Sequence, residues 1–185
     1  GLGDVYKRQT VSAANLNDLN ALTTVTVNAA NVDTISSSSL SDINTLYTAG
    51  GVSGLGDQDI TVSDSGSIAA GTLTTITAAN GKGTLTASSA ATVTGTAAEI
   101  VAALADSTIT LASNVALTVN SGTATLSQTR TLNSGTGGVV TATVADTRVS
   151  DLLDGTTGLT ETAGSNAYTI TIGTADAEIT ATDLT

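Results

Sequence analysis

The chain has 185 residues, a net charge of −11 and a pI of about 4.1, and contains no Phe, Trp, Met, Cys, His or Pro. A cluster of Lys and Arg to hold phosphate is therefore missing, which argues against nucleic acid as a partner. Ser–His and Cys–His nucleophile pairs are excluded by composition, as are disulfides and thiolate metal sites.

Hydrophobic residues make up 40% of the chain but aromatics only 2%, and mean hydropathy is +0.26. The apolar content is Ala, Val, Leu and Ile, so burial must come from many small side chains in thin layers. Thr is the commonest residue, roughly a fifth of the chain, and favours short strands. No run reaches the roughly 18 apolar residues of a membrane helix.

Residues 1–9, GLGDVYKRQ, differ from the rest of the chain and hold two of the five basic residues. Asp4–Gln9 resembles a translated transposon-end sequencing adapter, so residues 1–9 are expected to be a non-native artefact. From Thr10 the composition changes. Leu16, Leu19 and Leu22 give the first helical spacing, over about 13–22. Val25 and Val27 alternate with Thr in a strand over 24–28. Ser39 then caps a helix over 39–49, with Asp42 three residues on and Gly50-Gly51 after it.

The segment GLGDQDITVSD places Asp57, Asp59 and Asp64 close together. Hard oxygen ligands in a Gly-containing loop suit calcium. A Gly/Asp turn before a strand accounts for the same residues without a metal. Strands follow at 60–63 and 84–87. The turn NGKG precedes the second of them and leaves Lys82 a solvated turn residue rather than a base. Thr96 and Glu99 form a capping box for a helix over 96–105, and a strand follows at 108–111. Residues 109–147 alternate with period two and show no clear helix. RVSDLLDG, 148–155, restores a helical turn, and Tyr168–Ile172 reads as a strand.

An apolar pattern recurs at x, x+8, x+13 and x+16. Val27 leads to Ile35, Leu40 and Ile43, Ile60 to Ile68, Leu73 and Ile76, and Leu85 to Val93, Ala98 and Val101. Ile179 and Leu184 fit two of the positions at the end. The anchors Val27 and Ile60 stand further apart than Ile60 and Leu85, an excess assigned to the loop 49–59. The expected fold is an α/β repeat: a strand–turn–short-helix solenoid with a parallel sheet, layered like leucine-rich repeats. Val27, Ile60 and Leu85 must then share one sheet. An all-β solenoid or an antiparallel β-sandwich is the alternative, above all for 109–147. The expected organisation is regular repeats over 10–108, an irregular strand-rich stretch over 109–147, and degenerate repeats over 148–185, cut within a repeat. Ile35, Ile43, Ile68, Ile76, Val93 and Val101 should be buried, and Thr24, Thr26, Thr61, Thr84 and Thr86 should face outward.

Val11–Leu22, Val93–Leu104 and Gly54–Asp64 together resemble the long, acidic, Thr- and Ala-rich repeat proteins of marine bacteria. That resemblance implies an extracellular or cell-surface location in a very long protein, often with calcium-binding modules elsewhere. The function expected is a structural or adhesive segment, non-catalytic and without an obligate cofactor, whose partners are neighbouring repeats of its own chain. A binding module for glycan, protein or calcium is the alternative. Glycan binding would call on stacking rings, for which Tyr47 and Tyr168 are available.

Overall fold

The computed structural model describes residues 9–145, 148–159 and 166–172. In chain order the elements begin with β1 (Gln9–Ser12), α1 (Ala13–Ala21), β2 (Val27–Asn28), β3 (Val32–Ser38) and α2 (Leu40–Thr48). There follow β4 (Val52–Ser53), β5 (Asp59–Val62), β6 (Ser67–Ala69), α3 (Ala70–Asn80), β7 (Leu85–Ala87), β8 (Thr92–Gly95) and α4 (Ala97–Ala105). The last are β9 (Ile109–Leu111), β10 (Ala116–Val119), α5 (Leu126–Ser134), β11 (Val140–Thr143), α6 (Val149–Leu152) and β12 (Ala167–Thr169). The chain is thus α/β with parallel sheets. Among the described residues no helix is long and apolar enough to cross a membrane.

Two compact units make up the chain: residues up to 91 with 106–112, and 92–105 with 113 onward. In the first unit β1, β3, β5, β7 and β9 lie side by side, all parallel. Val11, Ile35, Ile60, Leu85 and Ile109 stand abreast in this sheet, separated by nearly equal lengths of chain. Strand alternation sends Ile35, Ile60 and Leu85 inward, and all three are essentially fully buried. They are joined by Ile43, Leu73 and Ile76 from the helices, each burial contributing about 1.5–3 kcal/mol. In the second unit β8, β10, β11 and β12 are parallel neighbours, with Leu117 between Val93 and Val140. Ile100 and Leu132 complete that core from α4 and α5.

The helix starts are set by side chains. Ser12 accepts a hydrogen bond from the Asn15 N–H, and Ser39 accepts one from the Asp42 N–H at 3.1 Å. Thr96 and Glu99 form the full reciprocal box, and the Thr96 N–H and hydroxyl hold the Glu99 carboxyl below its ordinary range. The first two helices are also capped by side chains from well beyond their own C-terminal ends. Ser38 Oγ accepts from the Ala13 N–H at 3.0 Å, and Asp64 Oδ2 accepts from the Leu40 N–H at 2.7 Å. Each occupies the first helical N–H, which has no partner inside its own helix.

Four expectations need correction. Val27 does not share a sheet with Ile60 and Leu85; it pairs with Val52 in the small ladder of β2 and β4, and Thr24–Thr26 form no strand. Ile35 is the residue abreast of Ile60. The long interval from Val27 to Ile60 therefore reflects a misplaced anchor: Val25 is exposed and Val27 only half-buried, so alternation in TVTV marks no core strand. Val101 is half-buried, while Ala97, Ile100 and Ala103 face the core. Ile100 and Val101 both satisfy helical spacing, and the Thr96–Glu99 box, by fixing the start at Ala97, selects the face. Helix α5 occupies 126–134, where the alternation predicts none, and α3 adds a further one at 70–80. The antiparallel alternative for 109–147 fails, because β10 pairs in parallel with β8 and with β11.

Other expectations hold. Ile35, Ile43, Ile68, Ile76 and Val93 are buried, Thr24, Thr26, Thr61 and Thr84 are exposed, and Thr86 is half-buried. The helical turn within 148–155 is α6, whereas the strand expected at 168–172 is β12, over Ala167–Thr169. The suspected adapter lies outside the described residues but for Gln9, which opens β1. Ile179 and Leu184 lie outside them too.

Candidate functional site

The acids singled out by sequence lie around β5, Asp57 before it, Asp59 at its start and Asp64 after it, and each takes a different partner. Asp57 is exposed, and its Oδ1 accepts from Gln58 Nε2 at 3.1 Å. Asp59 is exposed at the start of β5, and its Oδ1 accepts from the Thr84 hydroxyl at 2.7 Å. Asp64 is half-buried and caps α2. Among the described residues no three acidic side chains converge with the spacing of a metal site.

Behind this loop stands a buried polar cluster that sequence reasoning missed. Gln58 and Asn80 are fully enclosed. Asn80 Oδ1 accepts from the Gln58 N–H at 3.0 Å, and Asn80 Nδ2 donates to the Gln58 carbonyl at 2.8 Å, so one carboxamide satisfies both backbone groups of Gln58. The Gln58 side chain donates to the Val32 carbonyl at 3.0 Å and accepts from the Gly56 N–H at 2.7 Å. The Tyr47 hydroxyl donates to Asn80 Oδ1 at 2.9 Å. Burial, and then the charge of Asp57, push that phenol well above its ordinary range. Gly83 is required here: a Cβ on it would stand 2.0 Å from the Gln58 carbonyl oxygen. Lys82 is exposed beside it in the expected turn. Of this group, only the NGKG turn was legible; Gln58 and Asn80 are distant in sequence and ordinary in composition.

The second unit repeats the device. Asn166 Nδ2 donates to Asn133 Oδ1 at 2.7 Å and to the Tyr168 hydroxyl at 3.0 Å, while Asn166 Oδ1 accepts from the Val140 N–H at 2.8 Å. Both tyrosines available for stacking are thus half-buried and bonded to asparagine carboxamides. An open groove in the same unit is lined by Arg130, Asp151 and Asp154. Arg130 donates to the Gly158 carbonyl at 3.1 Å. Asp154 Oδ1 accepts from the N–H groups of Thr157 and Thr156 and from the Thr157 hydroxyl, which holds its carboxyl below the ordinary range. These bonds tie the loop after α6 to its own backbone. Among the described residues no buried side-chain nitrogen or oxygen lacks a hydrogen-bond partner. The chain matches no known protein-family model, no curated protein and no solved structure.

Proposed function

We propose that the chain is a segment of a strand–helix solenoid, with layers of nearly constant length, that serves as a non-catalytic structural or adhesive spacer in a large secreted or surface-displayed bacterial protein. The observation that carries this reading is the near-constant interval between Val11, Ile35, Ile60, Leu85 and Ile109 along one parallel sheet. Equal intervals arise when each layer is the same supersecondary unit resting on its neighbours. The caps given by Ser38 to α1 and by Asp64 to α2 support it, since each joins one layer to the next at that same interval. The resemblance of this acidic, Thr-rich chain to long marine repeat proteins supports an extracellular setting. Both described tyrosines and the aspartates of the 54–64 segment are engaged in internal bonds, which favours the spacer over a glycan or calcium module.

Deletion of one layer tests this. Removing residues 61–85 joins Ile60 to Thr86, the neighbour of its own sheet partner, and should leave a cooperative fold with a proportionally smaller unfolding enthalpy. Removing 61–73, half a layer, should abolish cooperative melting. If both deletions unfold the chain alike, the layered reading is wrong.

A further inference from the structure

The NGKG turn between α3 and β7 holds the sole Asn-Gly pair of the chain, Asn80–Gly81. In an open chain this pair is the asparagine sequence most prone to deamidate, because glycine has no side chain to shield its backbone nitrogen from the neighbouring carboxamide. The Gly81 nitrogen attacks Asn80 Cγ. A new C–N bond forms as the Cγ–Nδ2 bond breaks, and ammonia leaves with the proton from the Gly81 nitrogen. Water then opens the cyclic succinimide at either carbonyl and gives aspartate or isoaspartate. Amide and water become acid and ammonia, with no change of oxidation state.

The folded chain withholds both reacting groups. The Gly81 N–H donates to the Thr77 carbonyl at 2.8 Å, closing α3. The Asn80 carboxamide is fully enclosed and held on Gln58 by the backbone N–H at Oδ1 and by the carbonyl at Nδ2. The reaction needs the Gly81 nitrogen to lose its proton and Asn80 Cγ to turn toward it, and each step breaks these bonds. The product, in turn, does not fit the closed cluster. An ionised aspartate accepts only, so the Gln58 carbonyl loses its donor and a charge enters a site closed to water. Isoaspartate also lengthens the main chain close to Gly83, where there is no room even for a Cβ. Asn120–Ser121 supplies the contrast within the same molecule: it stands exposed in the turn after β10.

We infer that Asn80–Gly81 is a site of covalent self-modification gated by the Tyr47–Gln58–Asn80 cluster: closed, the cluster holds deamidation off, and once opened long enough to react it no longer closes as before. The rate in the folded chain is the open chain's rate multiplied by the fraction of molecules in which the cluster is open. The site thus records time spent open, and the record is irreversible. The gate rests on the geometry of the cluster and does not depend on the spacer reading.

The test ages the full chain at mildly alkaline pH, folded in buffer and unfolded in urea. Peptide mass spectrometry locates each modified asparagine, and enzymatic methylation counts isoaspartate. In urea Asn80 should react before Asn120. In buffer the order should reverse, with Asn80 at least about a hundredfold slower than in urea. Tyr47→Phe keeps the Asn-Gly pair and loosens the cluster, so it should raise the folded rate several-fold and leave the urea rate unchanged. Asn80→Asp reproduces one product without ageing and should melt below wild type. If that variant does not fold at all, the product is excluded from the closed cluster as expected, and the rates in wild type still decide the gate. Equal rates at Asn80 in buffer and in urea overturn the proposal, as does a folded rate unmoved by Tyr47→Phe. An equal slowing of Asn120 in buffer overturns it too, since the protection would then not belong to the cluster, and so does an unchanged melting midpoint in Asn80→Asp.

Discussion

Asn80 is the residue whose removal should damage the first unit most for its size. Its carboxamide accepts from the Gln58 N–H at 3.0 Å and donates to the Gln58 carbonyl at 2.8 Å, in an environment closed to water. Asn80→Ala deletes both partners and leaves a backbone donor and a backbone acceptor buried. An unsatisfied buried group costs about 1–3 kcal/mol, so the two together should cost about 2–6 kcal/mol. Tyr47 keeps Gln58 Oε1 as an acceptor at 3.3 Å, so its own loss is small. Tyr47→Phe removes a donor and leaves Asn80 Oδ1 the Gln58 N–H, which should cost only about 0.5–1.5 kcal/mol. The two changes share one oxygen, so the double variant should be less destabilised than the sum of the singles. Urea melts of the four proteins supply the numbers, with comparable m-values showing that the same fold is lost. A loss below about 1 kcal/mol for Asn80→Ala, or strict additivity with Tyr47→Phe, would refute the reasoning.

Burial, capping and charge set three further outcomes. Ile76→Ala should cost about 2–5 kcal/mol by denaturant melt, and Leu46→Ala similarly, because both are closed off from solvent at the seventh position of their helices. Leu19 holds that same position in α1 but is 49% exposed, and Leu19→Ala should cost well under half as much. Asp64→Ala should lower stability by about 0.5–2 kcal/mol through loss of the α2 cap, whereas Asp64→Asn, which keeps a side-chain oxygen, should lose less. The carboxyls of Asp106, Glu99 and Asp154 are lowered by hydrogen bonds: Asp106 by Thr108 and Thr77, Glu99 by Thr96, and Asp154 by Thr157 and Thr156. Their contribution is complete above the ordinary values of 4.5 for Glu and 3.8 for Asp and is lost as pH falls through the lowered ones. Melting midpoints should therefore drop below about pH 4.5, and Asp106→Asn should flatten that drop.

Helix boundaries were legible wherever a capping pattern met an apolar face. Ser39 with Asp42 and Thr96 with Glu99 announce α2 and α4 before any periodicity is counted. Thr125 with Gln128 is the same signal, and the structure forms the full box there. It is faint in the sequence because the inner face of α5 is Thr129, Leu132 and Asn133, with a single apolar residue to carry the period. Sheet register was legible in period but not in phase: alternation occurs in TVTV and in DTIS alike, and only burial separates Val27 from Ile35. The joining of Tyr47, Gln58 and Asn80 left no sequence signal, since its bonds link distant stretches of chain. The three aspartates of the 54–64 segment are close in sequence, yet their partners lie on α2, on the neighbouring Gln58 and at the head of β7. This division is set by the layers rather than by local spacing.

The layered register can be measured directly by placing spin labels at Thr10→Cys and Thr110→Cys in a chain that has no native cysteine. These positions are far apart in sequence but only four rungs apart in one parallel sheet. At about 4.8 Å per rung, their backbones stand roughly 20 Å apart. Parallel stacking in this register predicts a narrow pulsed-resonance distance distribution centred within label length of that value, and one rung shorter for Thr34→Cys with Thr110→Cys. A broad distribution, or equal distances for the two pairs, would contradict the layered register.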